Sequence, residues 1–281
     1  MTISVGTSGW SYDHWVGVLY PAGNPVHRLD HYLREFSTVE LNSSFYRWPR
    51  DAAFTRWRSK VPPGFAFSTK APRGLTHAKK LFDPDVWIRR LDAGLHELGE
   101  RRGALLVQLA PTMERDDARL DYFLGRLPPW VRVAVEFRHD SWLDDEVFAL
   151  LERHRAAYCV MSGAGLPCVL RATAPLVYVR LHGPDNNSLY GGSYSDSDLH
   201  WWADRMAEWR AAGHHTYAYF NNDGVATRFA MRVTFGTWSV PRRTGDESAI
   251  PSPLVPPLKS GKSWRFGGRR VHNGPSGPLR H

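Results

Sequence analysis

Leu176-Val177-Tyr178-Val179-Arg180-Leu181-His182 is the stretch whose reading decides the fold. In an extended strand, successive side chains point to opposite faces. Val177, Val179 and Leu181 therefore share one face, and Tyr178, Arg180 and His182 share the other. The first face is aliphatic and belongs under helices. The second is polar, gains charge toward its C-terminal end, and must line the inside of a ring. The same split recurs elsewhere: Val39 and Leu41 oppose Thr38, Glu40 and Asn42, and Val133, Val135 and Phe137 oppose Ala134, Glu136 and Arg138. Ser68 and Lys70 share a phase, Gln108 opposes Val107 and Leu109, and Tyr217, Tyr219 and Asn221 oppose Ala218 and Phe220.

Working outward, strands are predicted at Ile3–Gly6, Thr38–Leu41, Phe65–Thr69, Ala104–Leu109, Arg132–Phe137, Ala157–Met161, Leu176–His182 and Thr216–Asn221. Helices are predicted between or after them at Leu29–Phe36, Phe54–Lys60, Pro84–Glu100, Arg119–Leu127, Asp144–Arg155, Asp198–Ala212 and Val225–Phe235. Trp87, Leu91, Leu95 and Leu98 have the spacing of a buried helical stripe. Asp198 can serve as an N-cap, and Gly213 stands where a C-cap belongs. The connection Ser162–Thr173 is irregular, without the pattern of a full helix. Eight strands alternating with helices favour parallel pairing by crossovers. The fold class expected is α/β, a (β/α)8 TIM barrel in one domain, residues 1–239. An open doubly wound sheet is the alternative, but no G-x-G-x-x-G follows the first strand and no P-loop is present.

The chain has 281 residues, 42% hydrophobic and 23% charged, which are globular proportions. Its net charge of +8 is unevenly placed: residues 240–281 carry +6 and residues 1–239 only +2. The basic segment is rich in Pro and Gly, reads as a disordered tail, and could act as an arm on nucleic acid. The high pI is thus weak evidence that the folded body binds nucleic acid. Two cysteines, Cys159 and Cys168, cannot build a disulfide framework or a four-thiolate zinc site. No apolar run approaches the roughly 18 residues of a membrane span. Met1-Thr2-Ile3-Ser4 lacks the start of a secretory signal, so no membrane role and a cytoplasmic location are expected.

Polar residues cluster at the C-terminal ends of the predicted strands, the face that carries the active site in barrel enzymes. They are Glu40, Asn42, Lys70, Gln108, Glu136, Arg138, Arg180, His182, Asn221 and Asp223. Charges buried there must pair or contact a ligand. A purely structural network would pair Glu40 with Lys70 and Glu136 with Arg180. A ligand site is the stronger expectation, because the adjoining loops add Trp10, Tyr12, Trp15, Ser43, Ser44, Tyr46, His77, His139, Trp142 and Tyr190.

Six motifs stand in order along the chain: Gly6-Thr7-Ser8-Gly9-Trp10, Asn42-Ser43-Ser44-Phe45-Tyr46, Lys70-Ala71-Pro72-Arg73 with Thr76-His77, Glu136-Phe137-Arg138-His139 with Ser141-Trp142, Arg180-Leu181-His182-Gly183, and Tyr219-Phe220-Asn221-Asn222-Asp223. Together they resemble the YecE-like family, domain of unknown function 72 (DUF72), over about residues 3–235. The resemblance implies a TIM barrel and no established reaction. Ala110 stands where the family pattern has Pro, and Arg228-Phe229 also departs from it.

The chemistry expected is acid/base catalysis (hydrolysis, isomerisation or lysis) on a small phosphate- or carboxylate-bearing substrate. Arg138 and Arg180 would clamp the anion and Lys70 would add a point charge. Glu136 or Glu40 would act as base, and His182 as acid or oxyanion donor. Asn42, Ser43 and Asn221 would orient the substrate, Trp10, Tyr46 and Trp142 would stack on it, and Gln108, His139 and Asp223 complete the binding set. A Schiff base at Lys70 is disfavoured by neighbouring Glu40, which would keep the amine protonated. Glu40 and Glu136 lie far apart around the ring, which disfavours a glycosidase pair. No cofactor is expected. A divalent metal on Glu136, His182 and Asp223, in a phosphodiesterase- or isomerase-like barrel, is one alternative. A non-catalytic nucleic-acid or metabolite binding protein is the other.

Overall fold

Short runs rich in β-branched and aromatic residues form eight strands: β1 (Ile3–Thr7), β2 (Thr38–Leu41), β3 (Ala66–Lys70), β4 (Arg102–Gln108), β5 (Val133–Glu136), β6 (Ala157–Ser162), β7 (Leu176–Leu181) and β8 (His215–Phe220). The computed structural model describes residues 2–23, 27–185 and 187–222. All the pairings are parallel, in the order β1-β8-β7-β6-β5-β4-β3-β2. Between β1 and β2 the ring is joined by a single parallel bridge, Ser8 to Glu40, and by Gly9 N–H donating to the Glu40 carbonyl at 2.8 Å. The expected eight-stranded barrel is present, and each predicted strand lies within two residues of its observed ends.

Among the described residues seven α-helices fill the connections: α1 (Arg28–Glu35), α2 (Ser43–Tyr46), α3 (Asp51–Ser59), α4 (Asp85–Glu97), α5 (Asp117–Arg126), α6 (Asp145–Arg153) and α7 (Asp196–Ala211). The outward strand phases (Val39, Leu41, Phe67, Leu105, Val107, Val133, Val135, Val177, Val179, Ala218) bury against these helices in one core. Ile88, Leu91, Leu95 and Leu98 complete that core from α4, whereas Trp87 is only partly buried. Residues 163–175, between β6 and β7, hold no helix. The N-cap of α7 is Ser195, not Asp198: Ser195 and Asp198 form a reciprocal capping box, which uses Asp198 three residues inside. Gly213 follows α7 with φ +88°, the left-handed conformation of a C-terminal cap. The predicted helix Val225–Phe235, the boundary at 239, the basic tail and Asp223 lie outside the described residues.

The interior is layered, and only its upper half is polar. Below, Ala66, Ala104, Leu106, Ala134, Ala157, Cys159, Met161, Leu176, Tyr178, Tyr217 and Tyr219 form a second, separate apolar cluster. Small alanines on four strands leave room for three tyrosines. The Tyr219 hydroxyl bonds Thr38 Oγ1 at 2.7 Å and Ser68 Oγ at 2.8 Å. No described helix is long and apolar enough to cross a membrane.

Candidate functional site at the barrel mouth

Arg180, near the end of β7, crosses the lumen and meets both buried carboxylates. Its Nε and Nη2 donate to Glu40 Oε2 and Oε1 at 3.0 and 2.7 Å, and its Nη1 donates to Glu136 Oε2 at 2.7 Å. All three side chains are fully buried. Glu40 and Glu136, expected far apart, thus share one guanidinium. Only Arg has a planar fork that can serve two carboxylates at once.

Glu40 is saturated. Besides Arg180, it accepts from Ser8 Oγ at 2.5 Å and from the Tyr178 hydroxyl at 2.7 Å. The expected Glu40–Lys70 pair does not form; the expected Glu136–Arg180 pair does. The reason is geometric: the fork of Arg180, with Ser8 and Tyr178, takes up every lone-pair direction of Glu40.

Glu136 accepts from Gln108 Nε2 at 2.6 Å and from Arg138 Nε. Burial alone would raise its carboxyl, but Arg180 and Arg138, helped by His182 and Lys70, hold it well below the usual carboxylate range. It is therefore always ionised near neutrality and a weak base. Arg138 Nη2 lies 3.3 Å from His182 Nε2. A guanidinium can only donate, so Nε2 accepts and the neutral ring carries its proton on Nδ1. Asn221 Nδ2 is placed 3.0 Å from Nδ1, and with a proton on Nδ1 the amide has to be flipped so that its oxygen accepts. Burial, followed by Arg180, keeps His182 well below the normal histidine range.

Lys70 ends β3 and differs from its neighbours. Its ammonium makes no ion pair or hydrogen bond among the described residues, and lies 4.2 Å from the centroid of the Phe45 ring. The residue is 7% exposed, so it sits at the floor of the mouth rather than sealed beneath it. Burial, reinforced by Arg180, pushes its pKa down to about 8. His77 packs on the same Phe45 ring, centroids 5.0 Å apart, and accepts or donates to Thr76 Oγ1 at 2.9 Å. Burial, then Lys70 and Arg73, lowers its pKa as well. Tyr190 sets its ring 5.4 Å from His182, with a backbone φ of +71° that a bulky residue rarely adopts.

Of the residues expected in the site, Glu40, Lys70, Gln108, Glu136, Arg138, Arg180, His182 and Asn221 gather at this mouth. Asn42 follows β2 on the inward phase, with a buried Oδ1 that has no partner among the described residues. Ser43 and Tyr46 are exposed on α2, Tyr46 at 80%. Trp142 is not available for stacking on substrate: it is fully buried, stacked on Phe137 with centroids 5.0 Å apart, and its Nε1 donates to the Met113 carbonyl. Trp10 packs edge-on against Trp57 and Phe67 on the helix side. His139 caps the short turn at Ser141 instead of facing the lumen. These three follow strands on the outward phase or in the loop beyond it, which alternation alone does not reveal. Ser8, Phe45 and Tyr178 are the contributors that strand-end reasoning left out of the site, and His77, expected from the loop after β3, joins them. All but Tyr178 stand inside the six motifs, and Tyr178 shares the inward phase of Arg180. Among the described residues no group of three His, Cys, Asp or Glu side chains is placed to hold a metal ion. Cys159 and Cys168 are free and buried, and burial raises both thiols.

Residues 4–234 match the family described as protein of unknown function DUF72. The chain belongs to the DUF72 family. It is 30% identical over 141 residues to the UPF0759 protein YecE of Escherichia coli K12, a match that spans 50% of each chain. The chain thus spans about half the length of that relative. It is 26% identical to the UPF0759 protein YunF of Bacillus subtilis, covering 79% of this chain and 89% of YunF. A DUF72 family protein of Thermotoga maritima superposes with a TM-score of 0.72 at 28% identity, over 83% of this chain and 97% of the other. A DUF72 family protein of Enterococcus faecalis shares the fold, with a TM-score of 0.67 at 19% identity over 83% and 95% of the two chains. These likenesses extend the barrel to distant relatives and carry no reaction with them.

Proposed function

We propose that the mouth binds a small phosphate- or carboxylate-bearing molecule and carries out acid/base chemistry on it. One observation carries this reading. Among the described residues, the cations Lys70, Arg138 and Arg180 face two carboxylates, Glu40 and Glu136, and both carboxylates are already satisfied by guanidinium. The surplus positive charge falls on Lys70, the one cation there without an acceptor. A desolvated, unpaired ammonium is costly in the absence of an anion, so a bound anion would relieve it. Arg180 commits all three of its nitrogens to Glu40, Glu136 and Ser8, so the anion falls to Lys70 and to the outer nitrogen of Arg138, Nη1.

Glu40 and Glu136 act as anchors in this reading: their lone pairs are occupied by Arg180 and its neighbours. Proton transfer falls to Lys70 and to the neutral imidazoles of His77 and His182, the groups whose pKa values lie nearest or below neutrality. Asn42 and Gln108 would orient the substrate. The test is the melting temperature of the full chain in rising inorganic phosphate against chloride at equal ionic strength. A saturable rise is expected, with Lys70→Met weakening phosphate about tenfold or more, the worth of one charge-assisted hydrogen bond. No rise specific to phosphate would overturn the reading.

A further inference from the structure

The anion reading leaves open what bond is made or broken, and the surroundings of Lys70 narrow it. Among the described lysines, Lys60, Lys70, Lys79 and Lys80, Lys70 is the one on a barrel strand. Its amine has no competing acceptor, because Glu40, the neighbour that would have held its proton, is committed to Arg180, Ser8 and Tyr178. It is 7% exposed, so a small molecule in the mouth could reach it while bulk water is largely kept away. It rests on the face of Phe45, and a neutral-capable imidazole, His77, packs on the same ring. An amine nucleophile needs this arrangement: access from the mouth, no carboxylate holding the proton, and a proton-transfer group at its side.

We propose that Lys70 is the nucleophile of a covalent cycle, forming a Schiff base with a small aldehyde or ketone that also carries a carboxylate or phosphate. The inference rests on the anion-site reading above and names its substrate class. The neutral His77 ring, or water, takes one proton from the Lys70 ammonium, and the freed nitrogen attacks the carbonyl carbon, forming the C–N bond while the C=O π pair moves to oxygen. The oxygen takes the second surplus proton from nitrogen to give the carbinolamine. Its hydroxyl then takes back the proton held by His77 or water and leaves as water, and the nitrogen lone pair closes the C=N bond as the protonated imine. In the protonated imine the adjacent carbon is acidified, so a proton or a carbon substituent can leave there and its electron pair is held as an enamine. Reprotonation and hydrolysis return the free amine. No redox partner is required. The outer nitrogen of Arg138 holds the anionic group. The lowered basicity of Lys70 agrees with this role, because about half the amine is free near pH 8.

The experiment traps the imine. The full chain is incubated with pyruvate, and separately with dihydroxyacetone phosphate, in the presence of sodium cyanoborohydride, and the adduct is located by intact mass and peptide mapping. A single adduct at Lys70 is expected from at least one probe, formed at least tenfold faster than at Lys60, Lys79 or Lys80, with a rate that rises through pH 8. Lys70→Arg keeps the charge and removes the nucleophile, so it should retain the phosphate-induced rise in melting temperature and lose the adduct. Retained phosphate binding with no adduct at Lys70, or labelling spread evenly over the lysines, overturns the covalent role and leaves the anion site standing. No phosphate effect in the unmodified chain sinks the anion site and this inference together.

Discussion

Lys70 and Arg180 are both buried cations at the same mouth, yet they stand in opposite energetic positions. Arg180 returns its desolvation cost through three bonds to carboxylates, whereas Lys70 has only the Phe45 face. Removing Arg180 leaves Glu40 buried without a cation and Glu136 with Arg138 alone. Arg180→Met should therefore cost at least about 3–5 kcal/mol, and Arg180→Lys should not restore it, because an ammonium cannot fork to Glu40 and Glu136 together. Urea denaturation of the variants measures this; a loss within 1 kcal/mol of zero would contradict it. Lys70→Met should do the reverse. The folded-state pKa of Lys70 is depressed, so the unfolded chain binds more protons between about 8 and 10.5. Stability from this group thus rises with pH through that window, and the penalty is full below it. Lys70→Met removes the penalty, and the melting temperature at pH 7 should rise by roughly 3–6 °C while phosphate affinity falls. A drop in melting temperature would contradict the desolvation penalty at Lys70.

At the scale of elements, the joint between β1 and β2 is the place where the barrel depends on a single residue. A Cβ on Gly6 would come within 2.1 Å of the Thr38 carbonyl oxygen. The two strands approach so closely because β1 presents no side chain there, which in turn lets Ser8 reach the Glu40 carboxylate. Gly6→Ala should cost about 2–4 kcal/mol by forcing the strands apart, and it should weaken phosphate binding although the residue touches nothing in the mouth. Chemical denaturation and the phosphate titration check both halves; an unchanged denaturation midpoint would refute the close-packing argument. The helices and strands themselves were legible in the sequence, because aliphatic alternation and helical stripes report burial directly. The N-cap of α7 lies three residues before the expected Asp198, since Ser195 and Asp198 are both good caps and only the backbone shows which one precedes the first turn. Trp10, His139 and Trp142 were misplaced for a related reason. They follow strand ends in sequence, but the chain has already turned away from the lumen.

Across the whole molecule, several depressed pKa values act in the same direction. His182 and His77 lie below the free histidine value, and Glu136 lies below the free carboxylate value. In each case the unfolded chain binds protons that the folded chain refuses, so stability falls as pH falls. The loss should begin below about pH 6.5, where unfolded histidines protonate, and steepen below about 4.3, where unfolded glutamates do. Calorimetry from pH 8 to pH 4 should show a falling melting temperature over that range. Glu136→Gln should flatten the lower part of the curve while lowering stability at pH 7. A melting temperature that stays level from pH 8 to pH 5 would contradict the buried, neutral state of the histidines.

The sequence by itself determined the eight strands, their inward phase, the barrel they close and the membership of most of the mouth, because alternation and strand-end polarity are local properties of the chain. Only the tertiary structure decided who pairs with whom. Arg180 reaches carboxylates that are 140 and 44 positions away in the chain, and their capture by one guanidinium is what leaves Lys70 alone. Pairing across a lumen depends on ring diameter, side-chain length and the planar shape of a guanidinium, none of which is written in the spacing of residues along one strand.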